Sequence, residues 1–174
     1  GGALYFENTG TPHEVFRNVF RENVATDGAG GAVYHRKESG AVYRNNLFCL
    51  NSATSTSGGG AAAVHDASTT WQNNVFLANT ASNGPGGALV LVNSADATVA
   101  HDSVSGNSGS TGEAAWGATS GSLSVIDSLF VNHAGSHALD GQAAGTGEVS
   151  FSGFFGNTGG DYNSPKITDG GNNL

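Results

Sequence analysis

The chain of 174 residues contains no methionine and only one cysteine, Cys49. A single cysteine cannot form an internal disulfide, so the stability of the fold has to come from backbone pairing and packing. No apolar run is long enough for a signal segment or a membrane helix, and the chain opens directly on Gly1-Gly2-Ala3. We therefore expect a processed or excised piece of a longer protein, with no membrane insertion of this segment.

Positive charge is also scarce. Six Lys and Arg residues stand against fourteen Asp and Glu residues, and the formal net charge is −8. After Arg44, Lys166 is the only Lys or Arg in the sequence. Nucleic acids and anionic membranes attract proteins through clustered positive charge, so neither is an expected partner.

The periodicity of an amphipathic helix is missing as well, because no long stretch places apolar residues at i, i+3, i+4 and i+7. Glycine accounts for 28 of the 174 residues. The segments between glycines are short and alternate apolar with polar residues, as in LSVIDSLF at 123–130. This composition predicts short strands joined by tight turns.

What the chain does contain is an internal repeat. An asparagine recurs in steps of 28, 28, 28, 25 and 25 residues, at Asn23, Asn51, Asn79, Asn107, Asn132 and Asn157. Three residues before each of these stands an apolar residue: Phe20, Phe48, Phe76, Val104, Leu129 and Phe154. Five residues before each stands a small polar residue: Asn18, Asn46, Asn74, Asp102, Asp127 and Ser152. The tripeptide Gly-Gly-Ala occurs nearly in step, at 1–3, 30–32, 59–61 and 86–88.

A repeat of this length built from short strands is typical of a solenoid. Strands that return to the same position in every cycle stack in parallel, about 4.8 Å apart. The repeat thus predicts an all-β, right-handed, single-stranded parallel β-helix of about six coils of 25–28 residues, forming one domain over 1–174. Stacked Asn amides would bond the backbone of the buried turns, and the Phe side chains would fill the narrow interior. Gly-Gly would supply the positive φ or close backbone approach of a corner, with the small Ala inside it.

The tetrapeptides GGAL (1–4, 86–89) and GGAV (30–33), together with FREN (20–23), FCLN (48–51), FLAN (76–79) and FFGN (154–157), resemble the repeats of the polymorphic outer-membrane proteins. These are autotransporter passengers with GGA-[ILV] and F-x-x-N motifs. The resemblance implies a β-helical passenger at a bacterial surface with a role in adhesion or self-assembly. The later coils depart from the motif, with GEAA at 112–115 and SHAL at 136–139.

A carbohydrate-active enzyme, either a polysaccharide lyase or a glycoside hydrolase, is the alternative class. Asp102 and Asp127 replace Asn at one repeat position on adjacent coils, which would place their carboxyl groups about 5 Å apart. Such a pair could supply the acid and the nucleophile of a hydrolase, or bind Ca²⁺. A lyase usually needs a cation, and 45–165 contains no Lys or Arg. No long loop interrupts the coils to build the wall of a cleft.

We therefore expect a non-catalytic bacterial surface or extracellular β-helix that serves as an adhesin, a stalk or a filament subunit. No cofactor is expected other than Ca²⁺ at the aspartate pair, and the histidines mostly occupy different coil positions, so no metal cluster is expected. Expected partners are further coils, either flanking repeats or other copies stacked end to end, because an open terminal coil leaves strand edges unpaired. A host or cell-surface glycan is a further candidate partner, for which Trp116 and Tyr162 are the candidate contacts.

Overall fold

The computed structural model describes residues 1–8, 10–110, 121–134, 137–141, 145–163 and 166–174, and the backbone of 116–118. In these residues every helix or strand element is a β-strand, and every pair of neighbouring strands is parallel. The strands are stacked as a solenoid of about five turns. The predicted all-β parallel β-helix is therefore confirmed.

The strands, numbered β1 to β23 in chain order, form four sheets that make the sides of the coil. Sheet A contains β1 (Leu4–Glu7), β5 (Val33–Arg36), β9 (Ala62–His65), β13 (Leu89–Val92), β17 (Trp116–Ala118) and β20 (Leu139–Gly141). Sheet B contains β2 (Glu14–Phe16), β6 (Ala41–Arg44), β10 (Ser68–Gln72), β14 (Ala95–Ala100), β18 (Gly121–Ile126), β21 (Thr146–Ser150) and β23 (Ile167–Gly171). Sheet C contains β3 (Val19–Arg21), β7 (Leu47–Cys49), β11 (Val75–Leu77), β15 (Ser103–Ser105), β19 (Leu129–Val131) and β22 (Gly153–Phe155). Sheet D contains β4 (Val24–Ala25), β8 (Ser52–Ala53), β12 (Thr80–Ala81) and β16 (Ser108–Gly109).

The interior is filled by columns of side chains that stack from one turn to the next. In sheet C, Phe48 lies between Phe20 and Phe76, with ring centroids 4.8 Å and 4.9 Å apart. In sheet B, Tyr43 stacks on Trp71 at 4.1 Å with the ring planes 7° apart. Burial of these large rings supplies much of the apolar stabilisation of a narrow core.

The Gly-Gly-Ala corners behave as the sequence predicts. At 59–61 the first glycine has a φ of +75°, and a Cβ on the second, Gly60, would lie 2.0 Å from the carbonyl oxygen of Gly87. The third residue, Ala61, is completely buried. The corner therefore needs one residue with a left-handed backbone, one without a side chain, and one small enough for the interior.

Three of the sequence assignments are wrong by one residue, namely Leu129, Asn132 and Asp127, and the last of these is described with the candidate site. Phe130, not Leu129, pairs with Val104 and with Phe154, so Phe130 is fully buried and Leu129 is 46% exposed. The steps along sheet C are therefore 28, 28, 28, 26 and 24 residues, in place of 25 and 25 for the last two. Asn132 consequently lies outside the ladder, at an exposed corner with a φ of 57°. Asn tolerates this left-handed backbone better than most residues, which explains its presence there.

Candidate functional site

The recurring asparagines form a continuous hydrogen-bonded column, here called the first ladder, whose members are Asn23, Asn51, Asn79, Asn107, His133 and Asn157. Oδ1 of Asn51 accepts the backbone N–H and the side-chain NH₂ of Asn23, at 3.0 Å and 2.9 Å. Nδ2 of Asn51 donates to the carbonyl oxygen of Phe20 at 2.9 Å. Asn79 makes the same set of bonds one turn further on. The side chains thus satisfy backbone groups at a corner where no strand neighbour is present.

His133 takes the ladder position that the repeat had predicted for Asn132. Its Nδ1 lies 3.2 Å from the backbone nitrogen of Asn107, and its Nε2 lies 3.1 Å from the carbonyl oxygen of Val104. The two ring nitrogens therefore replace the oxygen and the nitrogen of an Asn amide, and these bonds require a neutral ring with hydrogen on Nε2. Burial lowers the pKa of His133 below its usual value, which favours this neutral form. Asn157 closes the column by accepting the backbone N–H of His133.

A second ladder runs beside the first and consists of Asn18, Asn46, Asn74, Asp102, Ser128, Ser152 and Asn173. The register places Ser128, not Asp127, next to Asp102, because the turn between them contains 26 residues. The hydroxyl of Ser128 accepts the backbone N–H of Asp102 at 3.2 Å. At the far end, Oδ1 of Asn173 accepts the N–H of Ser152 at 2.8 Å. The C-terminal residues therefore continue the coil.

Asp102 is a buried acid within this second ladder. Its Oδ1 accepts the backbone N–H of Asn74 at 2.6 Å and is 3.3 Å from Nδ2 of the same residue. Its Oδ2 is buried and has no hydrogen-bond donor among the described residues. Burial raises the pKa of Asp102 to about 8, although the bonds from Asn74 oppose the shift. The side chain consequently holds a proton at neutral pH and acts as a neutral substitute for Asn.

The proposed pairing of Asp102 with Asp127 is wrong. Asp127 is the left-handed corner residue before Ser128, with a φ of 48°, and its side chain is 48% exposed. Its neighbour on the previous turn is His101, whose Nδ1 lies 3.9 Å from Oδ2 of Asp127. One carboxyl group therefore points into the ladder and the other into solvent, so they do not form the close pair that the catalytic and Ca²⁺ hypotheses used.

A buried polar cluster near the first turns was missed by the sequence analysis. Oε1 of Glu38 accepts the backbone N–H of His13 at 2.9 Å and lies 2.7 Å from Nδ1 of His13. His35 is fully buried, with Nε2 2.7 Å from the carbonyl oxygen of Glu38 and Nδ1 2.9 Å from the hydroxyl of Tyr43. Burial lowers the pKa of His35 and raises that of Tyr43. The cluster fixes the turn at Glu38 against the core, and no repeated spacing in the sequence marks it.

The outer face of sheet B carries a continuous polar groove. Two shallow depressions of about 200 Å³ and about 380 Å³ meet at Ser122 and Ser124. Their lining includes two columns of outward-facing side chains, which are Ser68, Asp96, Ser122 and Thr146 in one and Thr70, Thr98, Ser124, Glu148 and Thr168 in the other. Every one of these side chains carries a hydroxyl or a carboxyl group. The sequence signal is the alternation S-x-T, D-x-T, S-x-S and T-x-E, which becomes readable once the register is known.

The remaining candidate residues whose side chains the structure describes do not come together at a site. The side chain of Trp116 lies outside the described residues, and the hydroxyl of Tyr162 donates to Asp169 at 2.9 Å at the C-terminal end of the coil. Cys49 is a buried free thiol. Among the described residues there is no group of three His, Cys, Asp or Glu side chains arranged to hold a metal ion. Nor do those residues include a helix with the length and apolarity of a membrane span.

The fold and its ladders define the class of the protein as a parallel β-helix whose repeated residues hold the coil together. Comparison of the chain with protein-family models, with curated proteins and with solved structures finds no match in any of the three. Any functional assignment therefore depends on the geometry described above.

Proposed function

We propose that the chain is a non-catalytic segment of a bacterial cell-surface or extracellular β-helix, serving as an adhesin, a stalk or a filament subunit. The observation that carries the proposal is that every repeated residue has a structural task. The asparagines bond corner backbone, the Phe and Trp side chains fill the interior, and Gly-Gly-Ala forms a corner. Each added turn thus contributes length and surface rather than new chemistry.

The resemblance to polymorphic outer-membrane proteins supports this proposal. In the F-x-x-N motif, Phe48 faces the interior and Asn51 stands in the first ladder, so the motif is one strand and its following corner. At 130–133 the sequence F-x-x-H takes the same positions, with Phe130 in the interior and His133 in the first ladder. The enzyme alternative loses its main support because Asp102 and Asp127 point to different environments.

The location is tested on intact cells of the organism that encodes the chain. Antibodies raised against the 174-residue chain should label intact cells or their culture medium, and added protease should remove the label from the cells. Labelling that is seen only after the cells are lysed would contradict the proposal.

Contact between coil ends is the partner interaction that we propose, either with flanking repeats or with a second copy. The bonds that the backbone N–H groups of the first ladder donate all have one direction, because each of these N–H groups donates to the side chain of the ladder residue on the next turn. Oδ1 of Asn23 at the first turn consequently faces the position of a preceding coil. At the other end of the ladder, the backbone N–H of Asn157 faces the position that a following coil would occupy. These groups complement each other, so stacking would be head to tail.

Sedimentation velocity over a range of concentrations tests this contact. The chain should self-associate, and Asn23→Ala should weaken association because it removes the outermost acceptor. Asn83→Ala is the matched control, since Asn83 lies in a side loop where it donates to Thr54. A well-folded chain that stays monomeric at high concentration would contradict end-to-end stacking. Equal association of both variants would contradict the ladder as its basis.

A further inference from the structure

We infer that the polar groove on sheet B binds a linear, neutral polysaccharide that lies along the axis of the β-helix. This inference rests on the proposed surface role, and it assigns a ligand class to one face of the coil. The groove crosses β10, β14, β18, β21 and β23, so it runs over five consecutive strands. At about 4.8 Å per strand the run is about 19 Å long, which is enough for several sugar units.

The groove presents a regular grid of hydrogen-bonding groups. Neighbouring positions along the axis are about 4.8 Å apart, and positions two residues apart on a strand are about 7 Å apart. Thr98 lies between Thr70 and Ser124 in one column, and Asp96 lies between Ser68 and Ser122 in the other. Hydroxyl groups both donate and accept hydrogen bonds, which matches the hydroxyl groups of a sugar chain.

The two carboxylates in the grid add strong acceptors. Oδ1 of Asp96 already accepts the backbone N–H and the hydroxyl of Ser122, at 2.9 Å and 2.6 Å. These bonds hold the carboxylate at the surface of the groove. Glu148 lies in the other column, two strands further along the axis, and is exposed. Ionised carboxylates form stronger hydrogen bonds with hydroxyl donors than neutral groups do.

The charge of the groove selects a neutral ligand. None of the described residues that line it is Lys or Arg, while Asp96 and Glu148 are both acidic. A chain of uronic acids would therefore be repelled and would find no cation to pair with. The described lining also contains no aromatic residue, so binding depends on many weak polar contacts. Affinity should then increase with the length of the polysaccharide.

Affinity electrophoresis of the 174-residue chain tests the inference in native gels that contain galactomannan, hydroxyethyl cellulose or polygalacturonate. The two neutral polymers should retard the chain and polygalacturonate should not. Manno- and cello-oligosaccharides of two to six sugars should compete better as they become longer. The double variant Thr98→Val and Ser124→Ala removes two hydroxyls from the grid and should raise the apparent Kd about tenfold.

The matched control is Thr80→Val on the outer face of sheet D, which removes an exposed strand hydroxyl elsewhere on the coil. It should bind like the unmodified chain, and thermal unfolding should show that all variants are folded. No retardation by either neutral polymer, stronger binding of polygalacturonate, or equal loss in the Thr80→Val control would overturn the inference. The assay uses no cells, so its result is independent of the test of location. A chain that is exposed on the cell surface but binds no polysaccharide would contradict the ligand of the groove and leave the surface role intact.

Discussion

At the scale of single residues, Asp102 makes stability depend on pH. The native state holds the proton of Asp102 up to about pH 8, whereas an unfolded Asp loses it near pH 4. Between these values the native state binds more protons than the unfolded state, so the free energy of unfolding falls as pH rises. Asp102 therefore stabilises the fold least at alkaline pH.

Replacement of this residue by its amide should remove that dependence. Asp102→Asn keeps the side-chain oxygen that accepts the backbone N–H of Asn74. It also adds a side-chain NH₂ group, which in Asn74 donates to the carbonyl oxygen of Tyr43 on the previous turn. We expect the free energy of unfolding to increase by about 2–4 kcal/mol at pH 7, with little gain at pH 4. Urea unfolding at several pH values measures the difference.

Asp127→Asn is the control for this measurement, because Asp127 is exposed at a corner. It should shift the unfolding midpoint by only a small amount. If the urea midpoints of the unmodified chain and of Asp102→Asn differ by the same amount at every pH from 4 to 8, Asp102 does not carry the buried proton.

At the scale of elements, the Gly-Gly-Ala corner and the ladder corner impose different demands. A Cβ on Gly60 would lie 2.0 Å from the carbonyl oxygen of Gly87, which is a backbone atom and cannot turn aside as a flexible side chain would. Gly106 has a φ of 60° but open space around it, and Leu50 and Ala78 adopt the same conformation at this corner in earlier turns. Only the first corner therefore excludes a side chain by contact.

Alanine substitutions separate these two demands. Gly60→Ala should destabilise the chain by more than about 3 kcal/mol, because the backbone of two turns would have to move apart. Gly106→Ala should cost about 1 kcal/mol, which is the usual penalty of a left-handed alanine. Thermal and urea unfolding of both variants provide the comparison, and equal losses would contradict the assignment of close approach to Gly60.

The sequence predicted the architecture but not the division of the last turns. The step from Asn107 to Asn157 is 50 residues in both the prediction and the structure, but it divides as 26 and 24, not as two equal turns. Asn132 was assigned to the ladder because asparagine is favourable both in the ladder and at the left-handed corner position beside it. Identifying His133 as a ladder residue needs the contacts of both ring nitrogens, which a single sequence does not contain.

This error of one residue also determined the outcome for the candidate site. A shift of one position exchanges the ladder residue for the corner residue before it, and so places Asp127 in solvent and Ser128 beside Asp102. The groove on sheet B is recognised from polar side chains that alternate with buried ones along each strand. A register error of one residue would assign these polar side chains to the wrong face of the sheet. The repeat was thus sufficient for the fold, while the site required the exact pairing of strands.

At the scale of the whole molecule, the strands of each turn pair with those of the turns before and after it, so the protection of amide hydrogens from exchange should vary along the axis. Strands such as β11 have a partner on both sides, while β3 has a partner on one side only. Local opening is easiest where neighbours are fewest. We expect amide hydrogens in Val75–Leu77 to exchange much more slowly than those in Val19–Arg21. Hydrogen exchange with mass spectrometry, at a concentration where the chain is dilute, measures both, and equal rates would contradict this order.

In sheets B and C the step between the first turns is constant at 28 residues, and this has a consequence for inheritance. Equivalent positions of successive turns are occupied by Phe20, Phe48 and Phe76, and likewise by Asn23, Asn51 and Asn79. A duplication or loss of one whole step would therefore leave every kind of contact in place, whereas the loss of a single residue would displace all columns downstream within that turn. Recombination between DNA copies of the 28-residue repeat can therefore lengthen or shorten the coil. Selection can then act on the length of the coil without changing the fold.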